Sequence, residues 1–241
     1  MAIMSYSLYF ILLAVQLTSI SATQPLPLKC ILQDNHFLTI FNKGNGRTNP
    51  DDGLTINVPA LDKLKIDYVK VDRDGFLLEA KDLEIEGLEN AILDDFGINL
   101  VNNISHVTFH TDILTKCLYK ADGSVLFLPI NGEGYSIVSL KNLQVGMVIP
   151  FDIVDKNGKK YFELMSYDYW YDVRDNANIS FSNLYYGDKE KSDIMHYLLN
   201  QNWKFMTVRY GTNFMAEFAK RFFSMFKNYF LSTPLRDFGT C

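Results

Sequence analysis

The C-terminal third of the chain carries apolar residues at the spacing of an amphipathic helix. The series comprises Ile194, Met195, Leu198, Leu199, Trp203, Met206, Phe214, Met215, Phe218, Phe222, Phe223, Met225, Phe226, Tyr229 and Phe230. Asp188 precedes it and can cap the first free N–H groups, and no proline follows before Pro234. The pattern predicts a helix that would reach about 60 Å if continuous, at ~1.5 Å per residue. So many aromatic side chains must be covered by another part of the chain.

The preceding part of the chain alternates apolar and polar residues, which is the pattern of β-strands. One alternating series runs through Leu143, Val145, Met147, Ile149, Phe151 and Ile153. Others run through Val107, Phe109, Thr111 and Ile113, and through Tyr167, Tyr169, Tyr171 and Val173. Asn157-Gly158 predicts a hairpin turn, and Ala121-Asp122-Gly123 predicts a second turn.

Strands joined by hairpins form an antiparallel sheet, and a long twisted sheet must curl. A curled sheet followed by an apolar helix predicts an α+β fold, in which a strongly curved antiparallel sheet wraps around a long C-terminal helix. No internal repeat or long linker interrupts residues 23–241, so we interpret them as one domain.

The first 22 residues have the features of a secretory signal peptide. An apolar run between Ser7 and Val15 is followed by the small residues Ser19, Ser21 and Ala22. The alternative is a membrane anchor, but the apolar run is too short to span a bilayer comfortably. We therefore expect cleavage near Ala22, secretion to the extracellular space and no stable membrane insertion.

Charge argues against two classes of partner. The formal net charge is −5, and the basic residues do not form a strong cluster. Nucleic acids and anionic membrane surfaces are therefore poor partners.

No set of residues with the spacing of an active site or a metal site is present. His106 and His110 are four residues apart, but they lie in a predicted strand, where this spacing separates their Cα atoms by about 13 Å. Gly132-Glu133-Gly134 lacks the third glycine of a dinucleotide-binding loop, and no G-x-S-x-G motif occurs. We expect no enzyme activity, no metal and no cofactor.

Aromatic and methionine side chains are the remaining candidates for a functional site. Packing in the core is the simpler explanation for each of them taken alone. Taken together, they could line a gap between the sheet and the helix, since methionine adapts to irregular ligands. The candidate lining residues are Tyr135, Tyr167, Tyr169, Trp170, Phe214, Phe218, Phe222, Met225 and Phe226.

Three motifs in order resemble the takeout and haemolymph juvenile hormone binding proteins of insects. The first covers residues 53–66, with Lys63 where the family usually has proline. The second, residues 128–134, resembles a mid-chain turn of the family. The third comprises Gly187, Asp188, Lys189, Glu190, Met195, Leu198, Leu199, Asn200, Asn202 and Trp203.

The resemblance implies a tubular lipid-binding fold and a hydrophobic small-molecule ligand. Juvenile hormone, other terpenoids, fatty acids and related lipids are the ligand classes that it implies, carried in an elongated apolar tunnel. Two alternatives remain: a secreted esterase or other lipid-modifying enzyme, and a protein-interaction module with a filled core.

The cysteines and the sequons complete the sequence predictions. The family usually has two cysteines near the mature N-terminus; Cys30 matches the first, and the second is absent. Three disulfide pairings remain possible: Cys30–Cys117, Cys30–Cys241 and Cys117–Cys241. Cys241 is also a candidate for a disulfide to a partner chain. A receptor is a further candidate partner. Asn103 and Asn178 each begin an Asn-x-Ser sequon and are candidates for glycosylation.

Overall fold

The computed structural model describes residues 47–48, 55–56 and 63–235. It contains nine strands: β1 (Arg47–Thr48), β2 (Thr55–Ile56), β3 (Leu64–Arg73), β4 (Phe76–Glu86), β5 (Ile92–Asn99), β6 (Ile104–Val125), β7 (Leu128–Lys156), β8 (Lys159–Leu164) and β9 (Asp168–Phe181). β1 pairs with β2, and the other seven form one antiparallel sheet in the order β3-β4-β6-β7-β8, with β5 on β6 and β9 on β7. The predicted signal peptide, Cys30 and Cys241 lie outside the described residues.

Three helices follow the sheet: α1 (Lys189–Gln201), α2 (Trp203–Tyr210) and α3 (Thr212–Ser232). The carboxylate of Asp188 caps α1 by accepting a hydrogen bond from the N–H of Lys191 at 3.2 Å. The apolar pattern predicted one continuous helix, but the chain departs from it at Asn202 and at Gly211. At Gly211 a Cβ would lie 2.3 Å from the carbonyl oxygen of Thr207, so only glycine fits this tight junction.

The hairpin turns test the strand predictions directly. The turn at Asn157-Gly158 is confirmed, and both residues have positive φ, as a type I′ turn requires. The turn predicted at Ala121-Asp122-Gly123 is wrong, because β6 continues to Val125 and the chain reverses at Leu126 and Phe127. Gly123 is required for another reason: a Cβ there would lie 1.9 Å from the carbonyl oxygen of Gly75 on the neighbouring hairpin.

A bulge where β7 pairs with β6 exchanges the inner and outer faces of β7, while odd-numbered residues lie on the inner face of β6 throughout. Before the bulge, even-numbered residues such as Ser136 lie on the inner face of β7; after it, odd-numbered residues such as Val145 do. Asp112 stabilises the bulge because its carboxylate accepts from the N–H of Asn142 and from the Lys141 ammonium, each at 2.8 Å. The same two contacts hold the pKa of Asp112 below its usual range.

The inner face of the sheet packs around α3, which confirms the predicted α+β fold. α3 contacts both β3 and β8, the two ends of the strand path, so the sheet must curl around it. Its residues Phe218, Phe222, Phe226 and Phe230 are each 1% exposed. No helix in the described part of the chain is both long enough and apolar enough to cross a membrane.

Candidate functional site

An apolar cavity lies between the inner face of the sheet and the helices. Its floor comes from β4, β6, β7 and β9, and its cover comes from residues of α1, α2 and the first part of α3. Measured as the space open to the centre of a water molecule, its volume is about 140 Å³. One water needs roughly 10–15 Å³ on this measure, so the space corresponds to on the order of ten water molecules.

The cavity separates two clusters of core residues. Leu83, Ile113 and Phe218 line it from one cluster, and Leu78 and Ile179 line it from the other. The interior is therefore packed on both sides of an open space. Closely packed proteins contain few voids larger than a water molecule, so a space of this size is a feature to explain.

Few polar groups reach the cavity wall. None of the described residues that line the cavity is Asp, Glu, Lys, Arg or His. Two of the lining tyrosines direct their hydroxyl groups to main-chain acceptors: Tyr119 donates to the carbonyl oxygen of Ser182 at 2.7 Å, and Tyr171 donates to that of Thr207 at 2.9 Å. Burial raises the pKa of Tyr119 to about 12, so this hydroxyl remains neutral.

A small polar patch on the cavity floor is formed by Thr115, Cys117 and Ser136. Cys117 on β6 lies directly opposite Ser136 on β7. Burial raises the pKa of the Cys117 thiol to about 11, so it is protonated at neutral pH. The hydroxyl of Thr115 donates to the carbonyl oxygen of Val138 at 3.2 Å and therefore has only acceptor capacity left.

The helical cover is fixed to the sheet through the edge of β9. His196 accepts a hydrogen bond from the N–H of Phe181 at 2.9 Å. The Asn200 side chain pairs with the main chain of Ile179. The neighbouring residue Leu199 and the two strand residues all line the cavity, so these contacts set the position of one wall.

Beyond the bulge the interior is filled by aromatic side chains. The ring centroids of Phe109 and Phe222 are 5.2 Å apart, those of Phe222 and Phe226 are 4.9 Å apart, and those of Phe162 and Phe230 are 5.7 Å apart. These separations are those of directly packed rings. This end of the fold is a packed core.

The structure distributes the candidate lining residues over four environments. Phe214 and Phe218 line the cavity. Phe222, Met225 and Phe226 are buried in the packed end. Tyr135 and Trp170 are 68% and 46% exposed, and the Trp170 ring lies against Gly146.

Tyr167 and Tyr169 are half-buried and lie 6.3 Å apart between ring centroids, with Tyr167 also 4.6 Å from Phe223. Like the buried and exposed residues above, they lie outside the lining of this cavity, and ligand contact by them stays a prediction.

Most of the strand residues that line the cavity are not among the predicted lining residues. Ser136 is not among the predicted lining residues, and Cys117 is predicted only as a disulfide candidate. The available signal was alternation: along β6 it continues unbroken to Thr115 and Cys117, but along β7 the bulge at Asn142 changes which positions face inward. Residues 128–134 also differ from the predicted turn, since they begin β7 and Gly132 permits close approach of residues 183–184.

The described residues also bear on the cysteines, histidines and sequons. Cys117 is a free thiol, so its two predicted pairings are not formed in the structure, while Cys30–Cys241 stays a prediction.

His106 and His110 each pair with a separate carboxylate, on Asp95 and Asp94, and residues 63–235 contain no group of three or more side chains placed to hold a metal ion. Asn103 lies exposed in a turn, and Asn178 lies exposed in β9; glycosylation of either stays a prediction.

The fold and the cavity together define a class of protein in which a curved antiparallel sheet encloses a helix and an apolar space. The family model of the haemolymph juvenile hormone binding proteins matches residues 11–239. The crystal structure of Takeout 1 from Epiphyas postvittana is similar, with 32% sequence identity, a TM-score of 0.75, and coverage of 83% of this chain and 90% of that chain.

This chain therefore belongs to the haemolymph juvenile hormone binding protein family. A crystal structure of a lipopolysaccharide binding protein aligns at 12% identity and a TM-score of 0.32, over 72% of this chain and 37% of that chain. A comparison with curated protein sequences finds no similar protein.

Proposed function

We propose that this protein is a secreted carrier that holds a hydrophobic small molecule in the cavity between its sheet and its helices. The observation that carries the proposal is an open, uncharged space bounded by apolar side chains on every contributing element. The family name indicates juvenile hormone as one ligand class; other terpenoids, fatty acids and related lipids have the same apolar character. Residues 1–22 serve as the signal peptide in this proposal.

The energy of binding comes from removal of apolar ligand surface from water. At ~25 cal/mol per Å², a ligand that buries about 300 Å² gains on the order of 7 kcal/mol before the costs of association. A ligand longer than the cavity would extend it into an elongated tunnel by moving flexible lining side chains such as Met206 and Met215.

We propose carriage without catalysis. A serine nucleophile needs a base within hydrogen-bond reach. Ser136 faces the cavity, but none of the described residues lining that cavity is a histidine, aspartate or glutamate. The neighbour of Ser136 is the protonated thiol of Cys117.

Blocking the cavity from its floor tests the proposal. Ala80 is buried in β4 and lines the cavity, so Ala80→Phe places a ring in the open space. Titration with N-phenyl-1-naphthylamine, a neutral dye that fluoresces in apolar surroundings, should give saturable binding to the natural chain and at least about ten-fold weaker binding to the variant.

Circular dichroism and thermal unfolding of Ala80→Phe provide the control for folding. A folded variant with weakened dye binding supports the carrier. Unchanged dye binding in a folded variant, or no saturable binding to the natural chain, would contradict it.

A further inference from the structure

We propose that the cavity selects uncharged lipids that carry one hydrogen-bond acceptor, and that the Ser136 hydroxyl on its floor binds this acceptor. This inference rests on the proposed carrier function and specifies the ligand class for the same cavity.

The first step of the argument concerns charge. The described lining contains no Arg, Lys or His, and two of its three tyrosine hydroxyls, at positions 119 and 171, already donate to main-chain carbonyls. An ionised carboxylate placed here would lose its hydration without gaining a cation or a set of donors. An ester or a ketone gives up far less hydration on entering the same space.

The cations near the end of the cavity are also engaged. Arg209 immediately precedes the lining residue Tyr210 in the sequence. Its guanidinium donates two hydrogen bonds to the carboxylate of Asp74, at 2.5 and 2.6 Å. Arg73 donates to the carbonyl oxygen of Arg209 at 3.0 Å. A lipid carboxylate at this position would compete with Asp74 for Arg209.

The second step identifies the donor. Ser136 is 4% exposed and faces the apolar cavity, and its cross-strand neighbour on β6 is Cys117. Sulfur is a weak acceptor, so the hydroxyl gains a stronger hydrogen bond from a ligand carbonyl or ether oxygen than the neighbouring thiol can offer. Thr115 cannot supply this donor, because its hydroxyl is already bound to Val138.

The chain offers a matched control for Ser136. Ser139 is on the same strand three residues further on, pairs with Leu114 and Asn178, and is outside the cavity lining. Ser136→Ala removes a serine hydroxyl from the inner face of β7, and Ser139→Ala removes one from the outer face.

The experiment compares three probes by displacement of N-phenyl-1-naphthylamine from the full chain at about pH 8, where a carboxylic acid is ionised. The probes are methyl undecanoate, laurate and dodecane. The ester and the acid have the same atoms, so they differ in charge and not in size, and the alkane lacks an acceptor.

We expect methyl undecanoate to bind at least about ten-fold more tightly than laurate. Ser136→Ala should weaken the ester about three- to ten-fold and leave dodecane unchanged, and Ser139→Ala should change neither. Equal affinity of ester and laurate, or equal weakening of ester and alkane by Ser136→Ala, would overturn the inference while the carrier function stands. Failure of all three probes to displace the dye would overturn both.

Discussion

The side chain of Asn200 on α1 forms two hydrogen bonds with the main chain of Ile179 on β9, accepting from its N–H at 2.7 Å and donating to its carbonyl oxygen at 3.0 Å. β9 pairs with β7 along one side. The amide of Asn200 thus provides on the other side the donor and the acceptor that a further strand would provide. This contact covers the free edge of β9 at Ile179. Because Ile179 and Leu199 both line the cavity, the same contact also fixes the position of the helical wall.

Asn200→Ala should destabilise the fold, since it leaves the N–H and the carbonyl of Ile179 without these partners. We expect a loss of roughly 2–3 kcal/mol in the free energy of unfolding. Asn202→Ala is the control, because the Asn202 side chain only donates to the carbonyl of Leu198 on its own exposed helix end. Urea unfolding of both variants measures the difference, and equal losses would contradict this role of Asn200.

Phe218 and Phe222 lie one turn apart on α3 and are equally buried, but only Phe218 borders the cavity. Phe222→Ala should cost about 3–5 kcal/mol of stability, because it opens a hole among Phe109 and Phe226. Phe218→Ala should cost less, because part of its ring already borders open space and has no packing partner there to lose.

Ligand binding should separate the same two variants in the opposite direction. Phe218→Ala enlarges the cavity and should change dye affinity several-fold, while Phe222→Ala should leave it unchanged in the folded fraction. Fluorescence titration alongside unfolding curves gives both quantities. Equal effects on dye affinity would assign both rings to the packed core.

The raised pKa of Cys117 predicts an alkaline effect on reactivity and on stability. The unfolded thiol ionises near its ordinary pKa of about 8.5, whereas the folded thiol has a pKa of about 11. The contribution of this group to stability is therefore complete below the unfolded pKa and is lost as pH rises through the folded value. Tyr119, with a pKa of about 12, acts in the same direction at higher pH.

Alkylation of Cys117 by iodoacetamide, followed by peptide mass spectrometry, measures this pKa. In the folded protein the rate should keep rising up to about pH 11, because only the thiolate reacts. In denaturant the rate should level off about two pH units earlier, and a bound ligand should slow the folded reaction. A plateau at the same pH in both states would contradict the buried position of the thiol.

The turn between β6 and β7 is formed by Leu126 and Phe127, both with positive φ, and the Phe127 side chain is fully exposed. Left-handed backbone costs a non-glycine residue roughly 1–2 kcal/mol. Phe127→Gly should therefore stabilise the fold by about 1 kcal/mol relative to Phe127→Ala, which removes the same ring but keeps the Cβ. Thermal unfolding compares the two, and equal midpoints would show that the turn is unstrained.

This turn also explains why part of the fold could not be predicted from local signals. Gly123 resembled a turn residue, yet it is required because two hairpins approach closely, a contact between residues distant in sequence. Leu126 and Phe127 have no turn preference, and the long register of β6 on β7 forces the reversal there. The alternation from Leu143 to Ile153 and the cap at Asp188 are local features; the strand and the cap were predicted correctly, although Ile153 at the end of the series is 42% exposed.

The cavity depends on the same non-local relationships. Phe214 and Phe218 were identified because helical periodicity places them on the apolar face of α3. Ser136 was not, because the bulge at Asn142 changes the inward positions of β7 from even to odd numbers, whereas Cys117 continues the alternation of β6 and could have been found from it. Hydrogen bonds from Asp112 across the strands set that bulge, and no pattern within one strand indicates it.

The most direct test of the carrier function is native mass spectrometry of the secreted protein, with extraction and identification of any co-purified lipid. The account predicts a bound apolar molecule that is uncharged and is absent from folded Ala80→Phe. Recovery of the protein without lipid, together with no uptake when neutral lipids are added, would contradict it.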